Sequence, residues 1–386
     1  MEPAGILDPV IGYPPEDAEV AGLAREVADR VIRPEADIWE REAVFPRKAF
    51  TALGEAGLLA LPYPERWGGS EVSQTSYLAA IEELAAAMLA VGLGVSVQVL
   101  TMFPTIAFGT DDQRDAWVPR AAAGEWVGSY CLSEPGSGSD AAAMTTRAGR
   151  DGDSWVLNGT KAWVTHGGES AYAVVFCRTG GEGATGISCL FVPTDTEGVT
   201  RAKLEHKMGM NASPTAQMVF DDVRLPADHL IGREGEGFRI AMAALDGGRL
   251  GIASGAVGLA REATTTAVAY ARERVQFGRP IIEQQGLSFM LADMATAIEG
   301  ARSLVRAAAA RRDAGQPYSP QAAMAKLNAT DTCMKVTTDA VQVLGGYGYV
   351  EEFPVERYMR EAKVLQIVEG TNQIQRVVIG RALARG

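Results

Sequence analysis

Zinc and phosphate-loop chemistry have little to work with in this chain of 386 residues. It carries three histidines, His166, His206 and His229, and no H-E-x-x-H, which argues against a His-rich zinc site. No G-x-x-x-x-G-K-[ST] run occurs, so the phosphate loop of nucleotide hydrolases is absent. No G-x-S-x-G elbow is present either, which weakens a hydrolase reading. The four cysteines, Cys131, Cys177, Cys189 and Cys333, form no C-x-x-C pair. Spread so thinly they imply buried, reduced thiols and a cytoplasmic setting, not a disulfide framework. Positive charge is in deficit: 36 Lys and Arg stand against 48 Asp and Glu, a net charge of -12. Phosphate binding needs clustered bases, so neither nucleic acid nor an anionic membrane is expected as a main partner. The start, MEPAGILDPV, lacks the basic end and apolar run of a signal peptide.

What the chain has is apolar content, 47%, and length enough for two or three packed domains. Residues 84–109 contain no charged side chain, a stretch longer than the ~20 residues a membrane span requires. It is interrupted by Ser96, Gln98, Thr101, Pro104 and Thr105, and flanked by acids instead of Lys or Arg. Buried helices of a helical domain are the better expectation.

Apolar residues such as Val20, Leu23, Val27 and Val31 recur at three- and four-residue steps from about residue 16 to 124, predicting helices. The texture then changes. Short β-branched and aromatic runs at 154–157, 162–165, 173–177, 188–192 and 217–220, separated by Gly, Asp and Asn, predict a compact antiparallel β domain. Helical periodicity returns at 238–244, 250–274, 285–314, 320–344, 354–365 and 373–383. The expected domains are therefore 1–124, 125–234 and 235–386. Clefts at the seams of such domains are common cofactor sites. The run Gly136-Ser137-Gly138-Ser139-Asp140-Ala141 imitates a dinucleotide fingerprint, but it opens a β domain and lies in no βαβ unit.

Six segments, in order and in register, resemble the acyl-CoA dehydrogenase family: YCLSEPGSGSD (130–140), NGTKAWVTHGG (158–168), GFRIAMAALDGGR (237–249), RVQFGRPIIEQQ (274–285), QVLGGYGYVEEFPVERYMREAK (342–363) and IVEGTNQIQRVVIGRAL (367–383). The resemblance covers nearly the whole chain. It implies an N-terminal helical domain, a middle antiparallel β-barrel domain and a C-terminal four-helix bundle, assembled as a homotetramer with FAD at subunit interfaces. It also implies α,β-dehydrogenation of an acyl-CoA, as in fatty-acid β-oxidation, with electrons passing to an electron-transfer flavoprotein.

In that family a carboxylate takes the α-proton and flavin N5 takes the β-hydride. Glu369 matches the base. Burial next to Ile367 and Val368 would desolvate it and strengthen it as a base. Gly370 would let substrate approach the backbone, and the Glu369 N–H would bond the thioester oxygen. Some relatives carry the base just before Arg249; here that residue is Gly248, which cannot act. The resemblance further assigns flavin contacts to Tyr130, Leu132, Ser133, Gly138 and Ser139. It assigns the walls of the ring to Trp163 and Thr165, and the diphosphate to Arg274 with Gln276 and Phe277 beside it. Gln285, Gln342, Gly345 and Gly346 would reach the adenosine of a neighbouring subunit, and Thr371 and Gln373 would add further FAD contacts. Ser139, Phe238, Leu245, Asp246, Arg249 and Gly370 would contact substrate.

Two departures stand out. Val368 replaces the usual Tyr beside the base, and Glu361 replaces the usual Asp of an R-D-A-K string, a change expected to matter little. Bulky Leu100, Met102 and Phe103 suggest a short to medium acyl chain. An acyl-CoA oxidase and a dehydrogenase of carrier-protein thioesters are the nearest alternatives. A DNA-binding relative would need a basic groove that this acidic chain does not offer.

Overall fold

The computed structural model describes residues 5–8 and 14–385. Six α-helices come first: α1 (Pro15–Val27), α2 (Ala36–Arg41), α3 (Arg47–Glu55), α4 (Gln74–Ala87), α5 (Leu89–Phe108) and α6 (Asp111–Ala122). Side-chain caps fix where they begin. Ser73 accepts the Ser76 N–H at the start of α4, and Thr110 with Gln113 forms a reciprocal capping box on α6. The uncharged stretch 84–109 becomes the end of α4 and the whole of α5. Within the most apolar window of α5, 89% is buried inside the protein, where the helix packs against α4, α6, α7 and the sheet.

The β domain follows: β1 (Gly128–Cys131), β2 (Arg147–Asp151), β3 (Ser154–Thr165), β4 (Tyr172–Arg178), β5 (Ile187–Pro193), β6 (Val199–Leu204), β7 (Thr215–Pro226) and β8 (Leu230–Ile231). They form one sheet in the order β6-β7-β3-β2-β4-β5-β8, with β1 added beside β4. The expected antiparallel pairing needs one correction. β1 runs parallel to β4, Gly128 opposite Tyr172, and β2 meets β4 in parallel at Arg147 and Arg178. The path of pairings is also open, with β6 and β8 at its ends. β4 and β5 are covered on both faces. Val174, Phe176 and Phe191 join the helical core, while Ala173, Val175 and Leu190 join a second core with Trp155 and Phe220. Burial on both faces explains why these strands read as unbroken apolar runs.

The chain then returns to helices: α7 (Gly237–Glu273), a short hairpin of β9 (Val275–Gln276) and β10 (Arg279–Pro280), α8 (Gln285–Asp313), α9 (Ser319–Leu344), α10 (Val355–Leu365) and α11 (Asn372–Leu383). α7 is central and packs on α4, α5, α8 and α9. Buried ion pairs fasten it and α8 to α4. Arg261 makes two bonds to Glu83, of 2.8 and 2.9 Å, and Arg302 reaches Glu82 at 2.8 Å. Two helices, 238–244 and 250–274, were expected where α7 stands. The structure has one helix of 37 residues that runs through Gly247 and Gly248.

Candidate functional site

Glu369 lies in the turn between α10 and α11. Its φ is +51°, and that of Gly370 is +90°. Left-handed backbone at a residue other than glycine is costly, and such strain collects where a side chain must be aimed. The turn is tied down from two sides. Thr371 caps α11 by accepting the Ile374 N–H, at 3.3 Å. The Gly370 carbonyl accepts from Gln375 Nε2 at 2.7 Å and from Lys326 Nζ at 3.1 Å. Lys326 also donates to Asn372 Oδ1 at 2.9 Å, and Asn372 Nδ2 donates to Asp331 Oδ1 at 2.7 Å.

So held, the carboxylate of Glu369 points at α7. The backbone of the turn is half open, but both side-chain oxygens are sealed from solvent and neither has a hydrogen-bond partner among the described residues. A Cβ built on Gly248 would lie 2.0 Å from Glu369 Oε2. Gly248 is thus the space the carboxylate occupies, which is why a glycine stands there inside an unbroken helix; a Cβ on its neighbour Gly247 would instead meet the Arg312 guanidinium. Burial raises the Glu369 carboxyl from the ordinary carboxylate range to about 7; the charges of Lys326 and Arg249 pull the other way and do not cancel it. An unpaired, desolvated carboxyl near neutrality suits a general base. The Glu369 N–H is likewise engaged by no acceptor among the described residues.

Other residues singled out from the sequence surround this point. Arg249, one residue along α7, is buried; it pairs with Asp246, and its Nε has no partner. Asp246 also accepts from Ser319 Oγ at 2.8 Å, so it carries the helix-face ion pair as well as any ligand contact. Phe238 and Leu245 lie half-buried on the same helix. Tyr130 reaches α7 as well, its hydroxyl donating to the Ala241 carbonyl at 3.2 Å. Leu100 and Met102 are buried in α5, and Phe103 packs partly exposed beside them.

The flavin-loop expectation is refined. Residues 130 and 131 belong to β1, so the loop proper starts at Leu132. The Leu132 and Ser133 carbonyls are already engaged, by Lys161 Nζ at 3.0 Å and by the Ala162 N–H at 2.9 Å. Lys161 is fully buried and pairs with Glu134 at 2.9 Å. Burial alone would raise the Glu134 carboxyl, but Lys161 and the Thr145 and Thr146 amides bring it down to about 2. Gly138 and Ser139 are exposed beyond this anchor. Trp163 is 65% exposed with φ +60°, at the bulge between Lys161 and Val164, and Thr165 is half-buried two residues on. The left-handed bulge turns this strand Trp outward, so it presents an open ring face and is not a core residue.

A second group gathers elsewhere. Arg274, Gln276, Gly345 and Gly346 line one groove of about 770 Å³ together with Tyr270, Tyr347 and Phe353. Guanidinium, bare glycine backbone and aromatic rings are the donor set a dinucleotide diphosphate and its base require. Phe277 stands outside the groove at the hairpin tip, 94% exposed; with Gly278 it supplies the two positive φ values of a tight primed turn. Gln285 and Gln342 are exposed on α8 and α9. Thr371 and Gln373 border a smaller pocket of about 270 Å³ with Asp331, Lys363 and Arg376.

Sequence reasoning missed Lys326, Asn372 and Gln375 behind Glu369, and the Lys161–Glu134 pair behind the loop. The one available signal was a lone Lys among small and apolar neighbours in AAMAKLNAT.

Comparison with known proteins agrees along the chain. Residues 14–125 match the N-terminal domain of acyl-CoA dehydrogenase, 129–223 its middle domain and 235–384 its C-terminal domain. The mitochondrial short-chain specific acyl-CoA dehydrogenase of Homo sapiens is 44% identical over 363 residues, 94% of this chain and 88% of that protein. The butyryl-CoA dehydrogenase of Megasphaera elsdenii superposes with a TM-score of 0.95 at 39% identity, over 97% of this chain and 99% of that one. A glutaryl-CoA dehydrogenase of Mycobacterium smegmatis, solved in complex with FADH2, gives 0.93 at 32% identity, over 98% and 97%.

Proposed function

From the premise that this chain belongs to the acyl-CoA dehydrogenase family, a family of FAD-dependent oxidoreductases, we propose that it removes hydrogen across Cα–Cβ of a short- to medium-chain acyl-CoA, with Glu369 as the base. The observation that carries the reading is the Glu369 carboxylate: unpaired, sealed from water and raised to about 7. Bound FAD supplies the acceptor for the β-hydride. The chain's own residues do the rest. Glu369 takes the α-proton, and its N–H polarises the thioester carbonyl so that the developing enolate is stabilised. Tyr130, Trp163 and Thr165 wall the ring site, and Arg274 balances the diphosphate charge of the cofactor.

The short-chain preference rests on the short-chain specific and butyryl-CoA relatives and on the bulk of Leu100, Met102 and Phe103 in α5. We further propose a cytoplasmic homotetramer that hands electrons to an electron-transfer flavoprotein. The fully exposed Phe277 tip supports assembly with further copies, because an aromatic side chain so placed gains most by being covered.

The test is anaerobic bleaching of the bound flavin by acyl-CoA thioesters of graded length and branching. Butyryl- to octanoyl-CoA should bleach it, and kcat/KM should climb as pH rises through about 7, when Glu369 loses its proton. Glu369→Gln should keep FAD and bind substrate but lose about 10²–10⁴-fold in turnover. Full activity in that variant rules out this mechanism, and fast peroxide formation in air would move the assignment to an oxidase.

A further inference from the structure

Lys326 has no part in the chemistry above, yet it is fully buried on α9 directly behind the base. Burying an ammonium group costs several kcal/mol, and a Met or Leu would fill the same space without that penalty. Its contacts are specific. Nζ donates to the Gly370 carbonyl at 3.1 Å and to Asn372 Oδ1 at 2.9 Å, one residue and three residues past Glu369. Thr330, one turn along α9, meets the same Asn372 at 3.0–3.2 Å, and Asp331 takes the Asn372 amide at 2.7 Å. Three residues on one face of α9 therefore clamp the turn that carries the base.

Two cations face the Glu369 carboxyl: Lys326 from α9 and Arg249 from α7. The neutral phenols of Tyr77 on α4 and Tyr130 on β1 face it too. Arg249 is paired with Asp246. Lys326 is bonded only to neutral oxygens, with Asp331 at one remove through Asn372, so its charge is the less compensated of the two and the larger influence on Glu369.

We propose that Lys326 is a positioning residue for the reaction: it clamps the turn bearing Glu369 against α9 and supplies a positive charge that opposes the effect of burial on the base. This rests on the reading of Glu369 as the base. The same charge accounts for a lysine at a place where an uncharged side chain would pack as well.

The experiment compares Lys326→Met, Lys326→Arg and Asn372→Ala in the FAD-loaded enzyme, following kcat against pH. Calorimetry of an unreactive thioether analogue of butyryl-CoA, against pH, reads the protonation of Glu369 without turnover. Lys326→Met should move the acidic limb of both profiles upward by about one pH unit or more, so that turnover is lost at pH 7 and partly recovered above pH 8. Lys326→Arg should restore the limb. Asn372→Ala loosens the clamp but keeps the charge, and should lower kcat with the limb in place. If Lys326→Met does not fold, Asp331→Asn takes its place and should move the limb downward, since the ammonium is then less opposed. A limb that stays put in an active enzyme overturns the inference and leaves Glu369 as the base. A wild-type protein whose flavin no acyl-CoA can bleach overturns both.

Discussion

At the scale of single residues, Glu369, the proposed base, is defined by what is missing around it. Gly248 lacks the atom that would strike Glu369. Gly248→Ala should push the carboxylate out of line. Displacement of a base by even ~1 Å can reduce turnover ~100-fold, while overpacking should cost only about 1–3 kcal/mol in stability; kcat and Tm measured together will show whether the two effects separate. Glu361 stands in surroundings that the sequence did not reveal. Sequence reasoning treated it as a neutral exchange for Asp. The structure buries it completely, leaves its Oε1 without a partner, and burial pushes its carboxyl up to about 8 despite Arg357 beside it, with Glu40 adding to the rise. A carboxyl raised in the folded state binds its proton more tightly there than in the unfolded chain. Its contribution is thus fully present below its unfolded value of 4.5 and is lost as pH climbs towards 8. Glu361→Gln should abolish that loss and stabilise the protein at pH 8 by on the order of 1–3 kcal/mol, with little change at pH 4.5; thermal melts at the two pH values provide the comparison, and equal melting behaviour at both would contradict the assignment. The motif that singles out Glu369 was legible in the sequence because it is local. Lys326 was not, because a lysine on a helix ordinarily faces water and its partners lie 44 and 46 residues further on.

At the scale of elements, burial decides what could be read. β4 and β5 announce themselves because both faces are apolar. β2, with the sequence RAGRD, and β6, with VTRAKL, are polar and largely exposed, so no alternation marks them. β1 was hidden inside a motif taken for a loop, and its parallel pairing with β4 is a tertiary choice that no local pattern encodes. Residues 245–249 fell between two expected helices, yet α7 runs through them: Gly248 costs the helix some stability, and packing against Glu369 outweighs that cost. The loop after β1 depends on a buried pair in the same way. Lys161→Met leaves Glu134 charged without its counter-ion and should cost about 3–5 kcal/mol, whereas Lys161→Met with Glu134→Leu should recover much of the loss. Urea unfolding of the single and double variants tests this, and a double variant no better than the single one would count against the pair as the anchor.

At the scale of the whole molecule, the decisive dimension is the length of α7. Glu369 packs on it at Gly248, and Arg274 sits at its far end. Twenty-six residues of helical rise separate the two, about 39 Å at 1.5 Å per residue. That is farther than one FAD extends. A cofactor touching both the base side and the Arg274 groove must therefore draw them from different copies of the chain. Crippled copies should then be able to rescue each other. An assembly mixing Glu369→Gln with Arg274→Ala contains sites that inherit both intact halves, and random pairing in a two-fold interface should return about a quarter of full activity from two parents that have almost none. Genetic complementation between defective alleles would be the visible trace of one long, unbroken rod.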